Sequence, residues 1–459
     1  MHSTSDTWQA IADKLTEAGS PAVIHEIFRR QFERLASGAE TYLREADIRP
    51  ATGVVDAETL PDELEQIGNE HLDQSALLKL NGGLGTSMGL EGPKSLLPVR
   101  GRTTFLELIL QQTGLLGVPL VLMNSFSTEI ETAAAVSDAE NVVSFLQHQV
   151  PKLDAETLLP AEWPSDLTME WCPPGHGDIY AALVTTGTME RLIGQGRRYL
   201  FVSNADNLGA TMNTRLLGHL IQSGASFMME VADRTMADRK GGHLAMDTNG
   251  GWLLRESAQC HPSEEAQFQD ITVHRYFNTN NLWIDLVALQ QHLDQSGGSL
   301  DLPMIANRKT VDPKDTQSPA VYQLETAMGA AIACLPNATA VRVPRSRFAP
   351  VKTTGDLLAV RSDAYEIAED RSVRLIAERK GVPPNVQLDK ANYRTIADLD
   401  ERIREIPSLR DCVTLTVQGD VEFAADVSFS GEVAITNQSG GRQVLSSGEY
   451  TGEVTLTGA

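Results

Sequence analysis

Only four cysteines occur in the 459 residues, Cys172, Cys260, Cys334 and Cys412, and none stands at C-x-x-C spacing. Neither a zinc knuckle nor a disulfide framework is suggested, and a reducing, cytoplasmic setting is expected. Basic residues are scarce as well: 38 lysines and arginines against 61 aspartates and glutamates give a formal net charge of -23. Such a field argues against nucleic acid or an anionic membrane held by diffuse electrostatics, so any anionic substrate has to be drawn in by local positive groups. No run reaches the roughly 18 apolar residues of a membrane span. The start "MHSTSDTWQAIADK" lacks the basic head and apolar core of a signal peptide, so a protein neither secreted nor membrane-embedded is expected.

What is present begins with helical spacing. Trp8, Ile11 and Leu15, then Ile24, Phe28, Phe32 and Leu35, predict amphipathic helices from residue 5 to about 46, broken between Pro50 and Gly53. From about Ser75 short apolar runs ("ALLKLN", "VPLVLMNS", "RYLFVSN", "ASFMMEV") alternate with helical stretches ("TTFLELILQQTGLL", "TRLLGHLIQ"). That alternation predicts an α/β sheet buried on both faces, with ligands beyond the carboxyl ends of its strands. Past Cys412 the period becomes six: Leu415, Val421, Val427 and Val433 form one series, Val417, Phe423, Phe429 and Ile435 a second, with small residues at Gly419, Ala425 and Gly431. After "SGGRQ" the beat resumes in Val444, Tyr450 and Leu456, and the pattern predicts a hexapeptide β-helix rather than a meander. The resulting division is a helical segment over 1–74, an α/β domain over 75–365, a helical linker over 366–411 and a β-helix over 412–459.

The stretch from Leu78, "LKLNGGLGTSMGLEGPKS", crowds Gly82, Gly83, Gly85, Gly89 and Gly92 directly after an apolar run. Glycine costs backbone entropy and is used where the chain takes positive φ or approaches a ligand closely. Gly83, Gly85 and Gly89 miss the G-x-G-x-x-G dinucleotide spacing, and Pro93 interrupts any Walker A reading while removing an amide. A nucleotide-approaching loop followed by the positive charge of Lys94 fits; on the glycines alone a surface turn is the alternative.

This stretch closely resembles the signature of the eukaryotic-type UTP-glucose-1-phosphate uridylyltransferases, also called UDP-glucose pyrophosphorylases. The likeness continues in the family's order through "WCPPGHGDIY", "SNADNLGA", "RKGGHLA", "FNTNNLW", "QLETAMGAA" and "VPRSRFAPVKTTGDLL", covering roughly residues 75 to 459. The resemblance implies a Rossmann-like, glycosyltransferase-A-like mixed sheet with flanking helices and a C-terminal left-handed parallel β-helix. It also implies Mg²⁺-dependent attack of a sugar-phosphate oxygen on the α-phosphorus of UTP, releasing pyrophosphate, with charge cancellation and alignment as the protein's task.

Carried over by motif, Leu80, Asn81, Gly82 and Gly83 meet the nucleotide and Lys94 its triphosphate. Gly175 contacts the nucleotide and His176 the sugar phosphate, Asp206 holds Mg²⁺, and Asn204 faces the sugar phosphate. Lys352 neutralises charge on the departing pyrophosphate and, with Arg345 and Arg347, forms a cationic island. Gly242, Asn278 and Asn280 are assigned to sugar hydroxyls, and Gln147 to uracil, with Gln149 competing for that place. "QLETAMGAAI" reads as an amphipathic core helix, Glu325 excepted. Two positions depart from the family's habit: Ala205 replaces a larger apolar residue and His243 a threonine.

The reaction expected is therefore UTP plus glucose 1-phosphate giving UDP-glucose and pyrophosphate. Galactose 1-phosphate and N-acetylglucosamine 1-phosphate are the alternative acceptors. The latter's relatives carry an arginine where Ser87 stands. A non-catalytic nucleotide-sugar-binding assembly protein is the rival from another class, and it predicts loss of Lys94, Asp206 or Lys352, all of which are present. Self-association through the β-helix is permitted.

Overall fold

The structure, a computed structural model, describes residues 4–458 apart from the side chains of Ser87 and Ala237, so the Ser87 side chain weighed above lies outside what is described. An 11-stranded mixed sheet forms the centre. Along its main path the strands run Val55–Asp56, Ala338–Arg342, Phe227–Asp233, Tyr276–Asp285, Tyr199–Asn204, Ser75–Asn81, Leu120–Asn124 and Val142–Leu146. Tyr276–Asp285 is antiparallel to both of its neighbours, and the other pairings along this path are parallel.

Alternation within the apolar runs fills both faces. Ala76, Leu78, Val121, Met123, Leu200 and Val202 point into one buried cluster, and Leu77, Leu120, Leu122, Tyr199 and Phe201 into the other. Helices cover each side. Phe105–Leu116 starts at a Thr104–Glu107 capping box and Thr214–Ser223 at the Asn213 cap, both on the second face; Ile179–Thr185 lies on the first.

Chain order matters for the site. The Ser75–Asn81 strand is followed outward by Leu120–Asn124 and Val142–Leu146, and then the chain returns to lay Tyr199–Asn204 on its opposite edge. The carboxyl ends at Asn81 and Asn204 therefore bracket a topological switch point, the crevice where open α/β sheets bind ligands.

The amino-terminal helices are Thr4–Glu17 and Ala22–Ala36; residues 37–46 hold only the start of a short 3-10 turn, Glu45–Asp47. Ile11, Leu15, Ile24, Phe28 and Phe32 pack on Val150, Leu153, Cys172, Ala181, Met304 and Leu324 of the α/β region. Among the described residues no helix is long and apolar enough to cross a membrane.

Two expectations are corrected. "QLETAMGAAI" is not a helix: Ala320–Thr326 is a strand paired antiparallel with Met304–Thr310, and Met328–Ala333 is a 3-10 turn. Four of the seven cross-strand pairs fall on Gln323–Thr326 and outweigh its helical spacing. Nor are residues 366–411 a helical linker. They contain the strands Val373–Leu375 and Asn385–Leu388 and the single α-helix Ile396–Arg402, and the strand Ser408–Gln418 begins within them.

The C-terminal strands stack in parallel in the order Asn385–Leu388, Ser408–Gln418, Val427–Asn437, Gly448–Leu456. Leu415 lies beside Val433 and Val417 beside Ile435, so residues three hexapeptides apart meet. Both six-residue series point inward, into one cluster shared with Met88, Leu97, Phe105, Val351 and Leu357 of the α/β region. Gly419 (φ 82°) and Gly431 (φ 69°) take left-handed turns, while at the intervening corner Asp426 (φ 56°), rather than Ala425, does so.

Candidate active site

At the switch point the chain leaves Asn81 and enters the glycine stretch. A methyl group built on Gly83 would meet nothing within 4 Å, so the backbone there is open to a ligand, while one on Gly82 would sit 3.3 Å from Gln147 Oε1 and Ser125 Cβ. The remaining glycines answer to the fold. Gly89, with φ of +76°, lies against Thr395, where a methyl carbon would come within 2.7 Å of Cγ2, and side chains at Gly85 and Gly92 would collide with Leu90 and Glu131. Asn81 is anchored from below: Nδ2 donates to Asn124 Oδ1 (2.7 Å) and Thr132 Oγ1 (3.0 Å).

A cleft opens here, lined by Leu80, Asn81, Gly82, Gly83, Lys94, Ser95, Met123, Gln147, His176, Asn204, Ala205 and Asp206. Gln147 lines it and Gln149 does not. Gln147 is held at the end of its strand by donation from its amide to Asn124 O (2.9 Å), and by the next residue, His148, whose amide and Nδ1 contact Asp178 at 2.7 and 2.8 Å. Across the cleft Lys94 Nζ donates to Asp206 Oδ2 at 2.7 Å. A carboxylate just past the strand Tyr199–Asn204 and an ammonium group at the start of the 3-10 turn Lys94–Leu96 thus share one wall.

His176 is fixed with one tautomer. The amide of Met328 donates to Nδ1 at 2.9 Å, and an amide can only donate, so Nδ1 is the acceptor and the ring proton sits on Nε2. Burial pushes the imidazole down from 6.5 to about 4, which keeps it a neutral donor at physiological pH. The turn that presents it is dictated by glycine. Gly175 has φ of +81°, and a methyl group there would lie 2.5 Å from Thr326 O; the Thr326 amide donates to Pro174 O at 2.9 Å. "PPGHGDIY" and "QLETAMG" are therefore two halves of one clamp.

Lys352 stands apart from this cleft. Its side chain is exposed with Nζ 5.9 Å from the centre of the Phe348 ring, and its amide donates to Asp356 Oδ2 at 2.9 Å within the cap of the helix Thr354–Arg361. The expected cationic island is corrected: Arg347 is buried and bonds both oxygens of Glu230 (2.7 and 2.6 Å), and Arg345 pairs with Asp238 at 2.8 Å. A buried guanidinium group demands a carboxylate partner, so Arg347 serves the fold, while the half-buried Arg345 is taken up by its ion pair with Asp238. The three residues assigned to the sugar, Gly242, Asn278 and Asn280, form a second group outside the cleft lining. The Asn278 amide donates to Gly242 O (3.2 Å), its Nδ2 donates to Asn280 Oδ1 (3.0 Å), and Asn280 takes a left-handed φ of 59°. A methyl carbon on Gly329 would lie 3.0 Å from Asn278 Nδ2, so Met328–Gly329 connects this group to His176.

Comparison with known proteins gives this arrangement a lineage. Residues 25–430 match the family model described as UTP--glucose-1-phosphate uridylyltransferase. The chain belongs to that family. The curated UTP--glucose-1-phosphate uridylyltransferase of Saccharomyces cerevisiae is 40% identical over 416 residues, which is 88% of this chain and 82% of the relative. A protein of Schizosaccharomyces pombe described as probably the same enzyme is 38% identical over 443 residues, 94% and 86% of the two chains. Among solved structures, the UDP-glucose phosphorylase of Trypanosoma brucei superposes with a TM-score of 0.88 at 42% identity over 98% of this chain and 100% of that one. A mutant UDP-glucose pyrophosphorylase from Leishmania major, solved in complex with UDP-glucose, superposes with a TM-score of 0.91 at 39% identity over 99% and 100%.

Against the family's habits, the two departures resolve differently. His243 is wholly buried, its ring stacked 4.0 Å from His274 and 4.9 Å from Phe268, so it packs behind the Gly242 loop. Ala205 is buried but lines the cleft floor beside Asp206. Two residues escaped sequence reasoning. Lys79 is 1% exposed with Nζ on Ser203 Oγ (2.7 Å) and Ala210 O (2.8 Å), gripping both ends of the loop that carries Asp206; burial and then Arg347 lower it to about 7. A polar residue inside the run "ALLKLN" was the available signal. Glu256, raised to about 7 by burial, sits where a side chain on Gly242 would collide with its carboxyl group. No spacing in the sequence pointed to it.

Proposed function

We propose that this protein transfers the uridylyl group of UTP to glucose 1-phosphate. A phosphate oxygen of the sugar phosphate bonds to the α-phosphorus as the bond to the bridging oxygen of the β-phosphate breaks, so UDP-glucose forms and pyrophosphate leaves. The observation that carries this reading is convergence: a glycine backbone open to a base, a carboxamide, a neutral imidazole donor, an ammonium group and a carboxylate face one cleft at the sheet's switch point. Phosphoryl-type transfer asks for little else than alignment and charge cancellation.

In this reading the main chain at Leu80–Gly83 and the side chain of Gln147 receive uracil, with Gly175 bordering the nucleotide. His176 donates its Nε2 proton to the sugar phosphate as a hydrogen bond, without transferring it. Asn204 faces the same phosphate, and Gly242, Asn278 and Asn280 meet the sugar hydroxyls. Lys94 neutralises the triphosphate, and Lys352 the pyrophosphate as it departs. Asp206 would hold Mg²⁺, whose charge would help neutralise the phosphates. The donor such an ion would use is the carboxylate of Asp206, which lines the cleft. Mg²⁺ that rides on substrate phosphates needs only one or two carboxylates. The parallel C-terminal stack is read as a left-handed β-helix, whose final strand Gly448–Leu456 offers an unpaired edge to a second copy, and the cytoplasm as the setting.

The experiment is pyrophosphate release with UTP against a panel of sugar 1-phosphates, with ATP, GTP and dTTP as controls. Release should require UTP, glucose 1-phosphate and Mg²⁺ together, and Asp206→Ala or Lys352→Ala should slow it by at least ~10². Wild-type turnover in either variant would refute the assignment of that residue. Faster release with galactose 1-phosphate or N-acetylglucosamine 1-phosphate would refute glucose as the acceptor.

A further inference from the structure

Asp206 lies in the loop from Ser203 to Thr211, and Lys352 ends the segment that starts at Arg345. Within the first piece, next to Asp206 and facing the second, sits Asn207, 3% exposed. Its carboxamide has two protons to donate and one oxygen with two lone pairs, and all are used. Nδ2 donates to Asn281 Oδ1 and to Arg347 O, each at 3.2 Å, while Oδ1 accepts from the amides of Gly209 (3.1 Å) and Ala349 (2.9 Å). Because both amides can only donate, the orientation of the carboxamide is determined by its neighbours. Two of the four partners, Arg347 O and Ala349 N, belong to the Lys352 segment. Main-chain contacts run alongside: Asn207 forms a β-bridge with Pro350, and the Val351 amide donates to Asp206 O at 3.2 Å.

The anchor beneath is rigid. Asn281 Nδ2 donates to Glu230 Oε2 (3.0 Å), Glu230 is bonded by Arg347 and by Trp283 Nε1 (2.9 Å), and Arg347 also reaches Thr211 O (3.0 Å). A fully satisfied buried network specifies one geometry and resists partial rearrangement.

We propose that Asn207 is a positioning residue that holds the Asp206 loop and the Lys352 segment in fixed register, so that carboxylate and ammonium group address the same phosphates. This rests on the role proposed above for Lys352. It places the control of alignment in a side chain that touches no substrate. A mutation far from the chemistry that misplaces a catalytic group by about 1 Å is enough to cost ~10²-fold.

The test is a double-mutant cycle on the full chain, with kcat and the KM for UTP and glucose 1-phosphate measured for Asn207→Ala, Lys352→Ala and the pair. Asn207→Ala should lower kcat by about 10² while moving either KM by less than ~3-fold. The double variant should be hardly slower than Lys352→Ala alone, because a misplaced ammonium group and a missing one are the same loss. Leu208→Ala, which removes apolar packing in the same loop, supplies the structural control: it should lower the melting temperature and multiply independently onto Lys352→Ala. A slow Lys352→Ala combined with an Asn207→Ala effect that multiplies fully onto it, or with no Asn207→Ala effect, overturns the positioning role alone. Wild-type turnover in Lys352→Ala overturns the Lys352 assignment and this inference with it. Should Asn207→Ala fail to fold, the isosteric Asn207→Asp keeps both accepting contacts and loses both donations, and the same non-additivity is expected of it.

Discussion

His176 shows how much chemistry depends on one amide. Donation from Met328 to Nδ1 leaves the Nε2 proton facing the cleft, and burial takes the imidazole from its ordinary 6.5 to about 4. The unfolded chain takes up this proton near 6.5 and the folded one only near 4, so the group's contribution to folding is complete above pH 6.5 and is surrendered as pH falls toward 4. A histidine NMR titration should show the His176 resonances unmoved between pH 8 and 5; a midpoint near 6.5 would contradict the buried neutral ring. Gly175 is equally exposed to test. Gly175→Ala places a methyl carbon 2.5 Å from Thr326 O at φ of +81°, and should cost roughly 2 kcal/mol in urea unfolding while lowering turnover through the displaced turn.

At the scale of elements, the helix Thr354–Arg361 controls where Lys352 begins. Its capping box joins Thr353 and Asp356, and the same Asp356 Oδ2 accepts from the Lys352 amide at 2.9 Å and the Thr353 amide at 2.7 Å. Asp356→Ala should cost about 1 kcal/mol of stability by loss of the cap, and reduce kcat more than it raises KM, since the lysine's backbone loses its tether. An equal loss in the neighbouring Thr395 cap, which serves another helix, gives the comparison: Asp398→Ala should lower stability with little change in kcat. Legibility divides along the same lines. Strand runs such as "ALLKLN" and "RYLFVSN" declared themselves because both sheet faces are apolar. "QLETAMGAAI" misled because its partner strand, Met304–Thr310, lies outside the stretch and the spacing within it carries no trace of that pairing. Likewise the glycines around Gly83 were legible as a group, whereas only contact geometry separates Gly83, open to the cleft, from Gly89, wedged against Thr395. Arg345 and Arg347 looked free because their acids, Asp238 and Glu230, lie more than a hundred residues away.

Over the whole molecule, the C-terminal stack is not an appendage. Leu415, Val417, Phe429 and Ile435 share a buried cluster with Met88, Phe105 and Val351, and Gly89 of the glycine stretch rests on Thr395. Calorimetry should accordingly show one cooperative transition, and a chain shortened to residues 1–407 should lose soluble, active protein rather than merely self-association. Two well-separated transitions would contradict this. The six-residue beat made the stack legible from sequence, but not its attachment, because the residues that join it to the α/β region carry no period. The net charge of -23 is likewise a property of the whole surface, and it sharpens what the proposed site must do: Lys94 and Lys352 would have to attract a polyanion against the molecule's own field.

The most direct measurement is a crystal structure of this chain soaked with UTP or UDP-glucose. Uracil is expected against Gly82, Gly83 and Gln147, the phosphates between Lys94, Asp206 and His176, and the Lys352 ammonium group turned toward them from its present place over Phe348. Nucleotide bound elsewhere, or bound in the cleft with Lys94 and Asp206 still paired to each other and no phosphate between them and His176, would contradict this reading.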